Sequence, residues 1–157
     1  MSPNLAFVAL GSNLGDSREL ILEAAKRLQE FSEEPAVLSE IIQTEPVDCP
    51  PGSPPFLNAV AALKPHPAET PETLLEKLQQ IENDLGRRRT GLKNEARRID
   101  LDLIAFGTET RSSPRLILPH PRAHLRRFVL EPLAKIAPDF ILPGQRQTVS
   151  ELLAKPD

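Results

Sequence analysis

The sequence predicts an α+β fold in which helices cover an antiparallel sheet. Short apolar runs typical of strands alternate with two amphipathic helical segments, and proline- or glycine-rich stretches separate them. The order of these elements along the chain is β-α-β-β-α-β. Strands and helices in this order form the ferredoxin-like arrangement, in which both helices lie on one face of the sheet.

The first half of the chain supplies two strands and a helix. The run NLAFVAL, from Asn4 to Leu10, predicts a buried strand, and GSNLGDS predicts the turn after it. Asp16 or Ser17 can cap the next helix. The segment AVLSEIIQTEPV predicts one strand that ends near Pro46, and the proline-rich DCPPGSPP predicts a loop. The apolar stripe of the helix consists of Leu20, Ile21, Ala24, Ala25, Leu28 and Phe31.

The second half repeats this pattern. FLNAVAALK predicts a strand, and Thr70, Pro71 and Glu72 form a strong helix start. That helix is expected to end at Gly86. RRRTGLKNEAR then predicts a basic loop and RIDLDLIAF the fourth strand. Residues 108–157 form a C-terminal extension, for which we predict a short strand and a short helix.

Length and composition predict one domain over residues 1–157. The net charge of -3 gives no general attraction to nucleic acid or to an anionic membrane. No apolar run is long enough to span a bilayer. The single Cys49 excludes an internal disulfide and favours a reducing compartment, so we expect a cytoplasmic protein.

Two aspartates interrupt the fourth strand. Because side chains alternate along a strand, Asp100 and Asp102 share a face and lie about 7 Å apart. Such a pair repels and is costly to desolvate, so a positive partner is missing from the sequence at that place. Alternation places Ile104 and Phe106 on the same face as the acids. The opposite, core face is predicted to carry Ile99, Leu101, Leu103 and Ala105.

A divalent cation is a suitable partner for these carboxylates. Mg²⁺ prefers carboxylate oxygens together with water and phosphate, and a pair of ions can hold both oxygens of a phosphoryl transfer. Arginine side chains suit phosphate oxygens, and the preceding loop is rich in them. The alternative is a solvated basic loop beside a common D-x-D pattern. The basic residues are Arg87, Arg88, Arg89, Lys93, Arg97 and Arg98.

One acid lies on the wrong side of the second helix. At 100° per residue, Glu82 falls inside the apolar stripe and Gln79 lies at its edge. Either Glu82 is a salt-bridged residue at the rim of the domain, or this end of the helix faces a polar site shared with Asp100 and Asp102. The stripe consists of Leu74, Leu75, Leu78, Ile81 and Leu85.

Other candidate residues are less specific. ALGSNLGD lacks the Lys-Ser/Thr of a phosphate-binding P-loop and favours a plain turn into a helix. His120 and His124 have no evident third zinc ligand, so a histidine that donates to phosphate is the better interpretation of His120. Phe56 and Phe128 are either core residues or stacking platforms.

Four motifs together resemble a known family. LGSNLGD, FLNAV, GRRR…ARRIDLDLIAFG and LPHPRAHLRRFVLEPLAKIAPD are similar, in this order, to motifs of the 6-hydroxymethyl-7,8-dihydropterin pyrophosphokinases of folate biosynthesis. The resemblance spans nearly the whole chain and implies a ferredoxin-like α+β fold. It also implies transfer of the β,γ-diphosphate of ATP to the pterin hydroxymethyl group, with release of AMP. The expected partners are these small molecules, bound by a monomer.

The resemblance also implies a role for each matching residue. Asp100 and Asp102 would bind two Mg²⁺ ions that bridge the phosphates of the cosubstrate ATP. Phe56 and Phe128 would enclose the pterin ring, and Asn58 would bind its polar edge together with backbone groups near Gly11, Thr44 and Val47. Arg87 and Arg97 would be the catalytic arginines that neutralise the moving diphosphate. The implied ATP-binding residues are Gln79, Glu82, Arg89, Arg97, Arg115, His120 and Arg126.

Two other functions remain open at the level of the sequence. Polymerase palm domains also carry D-x-D on a ferredoxin-like sheet, so a nucleotidyltransferase is one alternative. A small-molecule or RNA-binding module of the same fold is another, although plain binding does not explain Asp100 and Asp102, and the aromatic pattern of an RNA-recognition module is absent.

Overall fold

The computed structural model describes residues 5–13, 16–44, 55–87 and 99–155, with the backbone only at Arg87. Two 3₁₀ turns, Gln29–Phe31 and Ala123–Leu125, accompany the regular elements. In chain order these are β1 (Ala6–Ser12), α1 (Ser17–Leu28), β2 (Val37–Leu38), β3 (Ile42–Thr44), β4 (Phe56–Leu63), α2 (Pro71–Arg87), β5 (Asp100–Phe106), β6 (Arg111–Ser112), β7 (Ile117–Leu118), α3 (Arg127–Ile136) and α4 (Val149–Ala154).

The main sheet has the predicted antiparallel topology. β4 and β1 are central, β5 pairs with β1, and both β2 and β3 pair with β4. The single strand predicted to end near Pro46 is instead two short strands over the described residues up to Thr44. Between them the Ser39 N–H donates to the Val60 carbonyl (2.8 Å), and Ser39 Oγ accepts the Val60 N–H (2.9 Å). The serine side chain therefore replaces one backbone acceptor of the ladder and interrupts the strand.

Helices cover both faces of this sheet. As predicted, α1 and α2 pack on one face, around buried residues such as Val8, Ile21 and Leu78. The C-terminal extension covers the other face, which the sequence did not predict: α3 and α4 pack there around Phe7, Leu133 and other buried residues. The molecule thus has three layers and two cores. None of the helices in the described ranges is long and apolar enough to cross a membrane.

The start of α2 follows its sequence pattern. Thr70 Oγ1 accepts the Thr73 N–H at 3.1 Å, and Pro71 is the first helical residue, as predicted. The helix continues to Arg87, one residue beyond Gly86. At α1 the N-cap residue is Asp16, one of the two predicted candidates, but its side chain makes no capping hydrogen bond.

A register shift changes the faces of β5. Val8 pairs with Leu103 and Phe7 with Ala105, so Ile104 is an extra residue in β5. Ala105 therefore packs with Ile104 in the core beneath α3, and Phe106 packs against the core beneath α1 and α2. The faces predicted for Ala105 and Phe106 were wrong, because simple alternation does not include the bulge. The predicted faces of Asp100 to Leu103 lie before it and are unaffected.

Candidate functional site

A cavity of about 430 Å³ opens on the sheet face that α3 and α4 partly cover, beyond the start of α3. Its floor comes from β1, β4 and β5, and residues at the start of α3 form a wall. It brings together eight of the predicted site residues, from five segments of the chain. The lining consists of Ala9, Leu10, Gly11, Thr44, Phe56, Asn58, Ala59, Asp100, Asp102, Arg126, Arg127 and Phe128.

Asp100 and Asp102 lie at one end of this floor. They pair in register with Gly11 and Ala9 of β1, and both side chains are exposed and line the cavity. The described residues contain no cluster of three or more His, Cys, Asp or Glu residues that could hold a metal. Two carboxylates with open space before them fit Mg²⁺, which usually keeps several waters and binds one or two carboxylates plus substrate phosphates.

Asn58 lies at the middle of the floor, with an amide whose orientation is set by its neighbours. It is 8% exposed, and its Nδ2 donates to Thr44 Oγ1 at 2.9 Å. Gly11 is its register partner on β1. A Cβ atom at Gly11 would lie 3.0 Å from Asn58 Oδ1, so glycine leaves the room that this amide occupies. The amide and the Thr44 hydroxyl can then hydrogen-bond the edge of a ligand.

Two phenylalanines and an arginine line the cavity beside Asn58. Phe56 is half-buried and Phe128 is 38% exposed, so neither is a plain core residue. The Arg126 guanidinium lies 5.4 Å from the centroid of the Phe128 ring, within cation–π range. Exposed phenyl rings beside amide and hydroxyl groups suit a flat ligand with polar edges.

The start of α3 gives this wall a positive potential. Arg126 is the N-cap residue and forms no side-chain cap, so helix amides and the positive end of the helix dipole are directed to this end. Arg127 also lines the cavity, and its guanidinium donates to the Leu153 carbonyl at 3.1 Å. An anionic ligand group is therefore favoured beside this wall.

His120 lies outside the cavity lining but is electrostatically coupled to it. Its backbone N–H donates to the Ile104 carbonyl (2.9 Å). Its ring Nδ1 accepts the backbone N–H of Arg122 (3.2 Å). Burial lowers the pKa of His120, and repulsion from Arg126 and Arg122 adds to this, whereas Asp102 opposes it. The ring is therefore neutral at pH 7 and carries its proton on Nε2, where it can act as a donor.

Of the remaining predicted residues, some are described but do not line the cavity, and the others lie outside the described residues. Gln79 and Arg115 are exposed and do not line the cavity, and Arg115 lies 3.7 Å from Glu76 of α2. Glu82 is half-buried, and its Oε2 accepts the Leu101 N–H at 2.7 Å. Val47, Arg89, Arg97 and the side chain of Arg87 lie outside the described residues.

The sequence did not indicate Ala9 and Arg127 as part of the site. Ala9 is the register partner of Asp102, and its small side chain leaves space above the sheet. Nothing in NLAFVAL distinguishes it from the core residues around it. Arg127 could have been found, because it stands between two residues that were assigned, Arg126 and Phe128.

The fold and the cavity together have the features of an α+β transferase. Residues 7–138 match the model of the 7,8-dihydro-6-hydroxymethylpterin-pyrophosphokinase (HPPK) family. A 2-amino-4-hydroxy-6-hydroxymethyldihydropteridine pyrophosphokinase of Pseudomonas aeruginosa is 42% identical over 149 residues, covering 94% of this chain and 89% of that protein. The Haemophilus influenzae enzyme of the same name is 38% identical, with 94% and 90% coverage.

Solved structures agree on the fold. Plasmodium falciparum HPPK-DHPS superposes with a TM-score of 0.74 at 16% sequence identity, over 96% of this chain. This chain spans 45% of that longer protein, so the likeness concerns only the fold of one part of it. The chain belongs to the 7,8-dihydro-6-hydroxymethylpterin-pyrophosphokinase family. The reaction of the family is transfer of diphosphate from ATP to the hydroxymethyl group of the reduced pterin, in folate biosynthesis.

Proposed function

We propose that the chain carries out this reaction in the cavity described above, with ATP bound through two Mg²⁺ ions at Asp100 and Asp102. The products are AMP and the pterin diphosphate. The observation that carries the proposal is the cavity itself, which joins two carboxylates, an oriented amide and the arginine-bearing start of α3. These groups match the three parts of the reaction, namely a cation–phosphate centre, a flat acceptor and a negative charge to be neutralised.

The pterin would occupy the part of the cavity beside β3 and β4. Phe56 and Phe128 supply aromatic surfaces for its ring, and Asn58 with Thr44 supplies hydrogen bonds to its polar edge. The backbone near Gly11 and Val47 would complete that edge. The hydroxymethyl group would then face the aspartates, which lie at the β5 side of the same floor.

The nucleotide would bind beside the aspartates, at the edge that β5 forms in the described part of the sheet. Asp100 and Asp102 would hold magnesium, which when bound would neutralise charge on the triphosphate and polarise its phosphorus–oxygen bonds. His120 donates from Nε2, and Arg126 supplies a positive charge at the cavity wall. By resemblance we also assign Gln79, Arg89 and Arg115 to nucleotide binding. Arg87 and Arg97 are assigned to the diphosphate that is transferred.

In the proposed mechanism the hydroxymethyl oxygen attacks the β-phosphorus in line with the departing AMP oxygen. Asn58 and the two phenylalanines hold the acceptor, and the arginines neutralise the charge that develops on the transferred group. Positioning and charge neutralisation account for most of the acceleration expected of such transfers. We assign no side chain as general base, so the hydroxyl proton passes to solvent water as the new oxygen–phosphorus bond forms and the bond to the AMP oxygen breaks.

The test is product analysis with the purified protein, ATP, Mg²⁺ and 6-hydroxymethyl-7,8-dihydropterin. Nucleotide chromatography should show AMP and a pterin diphosphate, whereas a nucleotidyltransferase would release pyrophosphate and a binding module would form no AMP. Asp102→Ala should abolish AMP formation while the circular dichroism spectrum stays unchanged. Asp139→Ala, which removes an exposed carboxylate outside the cavity, is the control. Normal turnover in the Asp102→Ala variant would contradict the metal assignment.

We further propose that the protein works in the cytoplasm as a monomer on small molecules. The support is its single cysteine, which favours a reducing compartment, and its net charge of -3, which does not favour nucleic acid or anionic membranes. Light scattering after size-exclusion chromatography tests the monomer, because a dimer would double the mass of 17.4 kDa.

A further inference from the structure

One hydrogen bond joins α2 to the part of β5 that carries both aspartates. Glu82 Oε2 accepts the backbone N–H of Leu101 at 2.7 Å. Leu101 stands between Asp100 and Asp102, and its own side chain is buried in the core beneath α1 and α2. The two aspartates instead line the cavity on the opposite side of the strand. Glu82 therefore holds the short backbone segment from which both carboxylates project.

This contact lies at an edge of the sheet. In the described part of the main sheet, β5 is an outer strand that pairs with β1. Its later part gains a hydrogen bond from the His120 N–H to the Ile104 carbonyl. At the earlier part, the Leu101 N–H finds its acceptor on α2. The Glu82 carboxylate thus accepts a hydrogen bond that a neighbouring strand would otherwise accept. This contact limits fraying of β5 beside Asp100 and Asp102.

The position of Glu82 is costly, and the hydrogen bond to the Leu101 amide is one contact that compensates it. Leu78, Ile81 and Leu85 of the same helix are fully buried, so the carboxylate emerges from an apolar stripe. Desolvation and the negative charges of Asp100 and Asp102 both disfavour a third acid at this place. A short, charge-assisted bond to a backbone amide offsets that cost. Direct contact between this carboxylate and the phosphates of ATP is disfavoured, because both are negative.

We propose that Glu82 is a positioning residue: by binding the Leu101 amide it fixes the spacing and direction at which Asp100 and Asp102 hold a divalent cation. The inference rests on the proposed function, since it concerns the same two carboxylates. Glu82 acts through the backbone and is not itself a ligand of the cation. Loss of such a supporting contact typically weakens metal binding roughly 10- to 100-fold.

Two conservative variants separate the hydrogen bond from the charge. Glu82→Gln keeps the length of the side chain and an oxygen acceptor but removes the negative charge. Glu82→Asp keeps the charge but is shorter by one methylene and does not reach the Leu101 N–H. The matched control is Glu72→Ala, which removes a carboxylate of the same helix that pairs with Arg111 instead of with β5.

Two measurements other than activity report on the proposal. Amide hydrogen exchange of Leu101 tests the contact itself, and Mn²⁺ binding in the presence of a non-hydrolysable ATP analogue, followed by electron paramagnetic resonance, tests its consequence. We expect faster exchange and roughly 10-fold weaker Mn²⁺ binding in Glu82→Asp. Glu72→Ala should match the wild type in both, and Glu82→Gln, whose neutral oxygen is a weaker acceptor, should lie closer to the wild type than Glu82→Asp does. The reverse order, with Glu82→Asp intact and Glu82→Gln weakened, would overturn the proposal in favour of a charge effect.

If Glu82→Asp does not fold, Glu82→Gln still decides, because weakened Mn²⁺ binding with unchanged Leu101 exchange in that variant contradicts a role carried by the hydrogen bond. Unchanged Leu101 exchange in a folded Glu82→Asp also contradicts it. If the Mn²⁺ and exchange results are as expected but the wild type forms no AMP with the pterin, the proposed function fails while the support of the cation site by Glu82 stands.

Discussion

His120 shows how a single side chain is prepared for its role by its surroundings. Its pKa lies below the ordinary histidine value of about 6.5, chiefly because the ring is partly buried. The unfolded chain therefore takes up a proton before the folded chain does as the pH falls. The contribution of the neutral ring to stability is fully present above about pH 6.5 and decreases below it, as the pH falls toward the folded-state pKa.

This electrostatic balance can be measured directly at His120. We expect an NMR titration to give a pKa below about 6.5 for this residue, and Asp102→Asn to lower that pKa further, because Asp102 favours the charged ring. Saturating ATP should raise the pKa, since its phosphates favour the imidazolium. Asp139→Asn is the control with a distant carboxylate. An unchanged or higher pKa in Asp102→Asn would show that Asp102 does not act on His120.

Elements of the site differ in how far the sequence predicts them. Two-residue periodicity was enough to place Asp100 and Asp102 together, because the face of a strand is a local property. Helical periodicity likewise identified Glu82 as out of place on α2. Its acceptor role could not be predicted, because Leu101 is 19 residues away and meets it only in the folded chain. The faces of Ala105 and Phe106 were missed because the bulge depends on pairing with β1.

Other parts of the site came from resemblance more than from pattern. Nothing in the alternation of β4 indicates that Asn58 lines a cavity, and the family motif FLNAV supplied that prediction. Gln79 and Arg115 were assigned in the same way and do not line the cavity, so their contact with the nucleotide stays a prediction. The second helical layer was missed because prolines such as Pro132, which α3 accommodates, obscure helical periodicity.

The contact between β3 and β4 yields a prediction at the level of elements. Thr44 at the end of β3 accepts from Asn58 Nδ2, so it fixes how the Asn58 amide faces the proposed pterin site. We expect Thr44→Val to weaken binding of the pterin about 10-fold, the value of roughly one hydrogen bond, and to leave ATP binding unchanged. Thr44→Ser keeps the hydroxyl and should therefore bind the pterin as tightly as the wild type does. Isothermal titration with each ligand measures both effects, and wild-type pterin affinity in Thr44→Val would exclude this role.

At the scale of the whole molecule, the candidate site depends on the layer that the C-terminal extension builds. Phe7 of β1 packs against Phe140, with ring centroids 4.7 Å apart, and α4 buries Val149 and Leu152 in the same core. The Arg127 guanidinium binds the carbonyl of Leu153 in α4. The start of α3, which forms the wall of the cavity, is thus held from behind by α4. Residues far from the cavity therefore support its shape.

Removing part of this support should destabilise the fold and release the wall. Leu152 is 7% exposed, so Leu152→Ala leaves a space in the second core and should lower the free energy of unfolding by about 2–5 kcal/mol. Leu22→Ala, at a site on α1 that is 48% exposed, should cost much less. Urea denaturation measures both variants, and amide exchange should become faster in α3 before it does in α2. Equal losses in the two variants would mean that α4 does not hold the α3 layer, and the wall of the cavity would then need another source of rigidity.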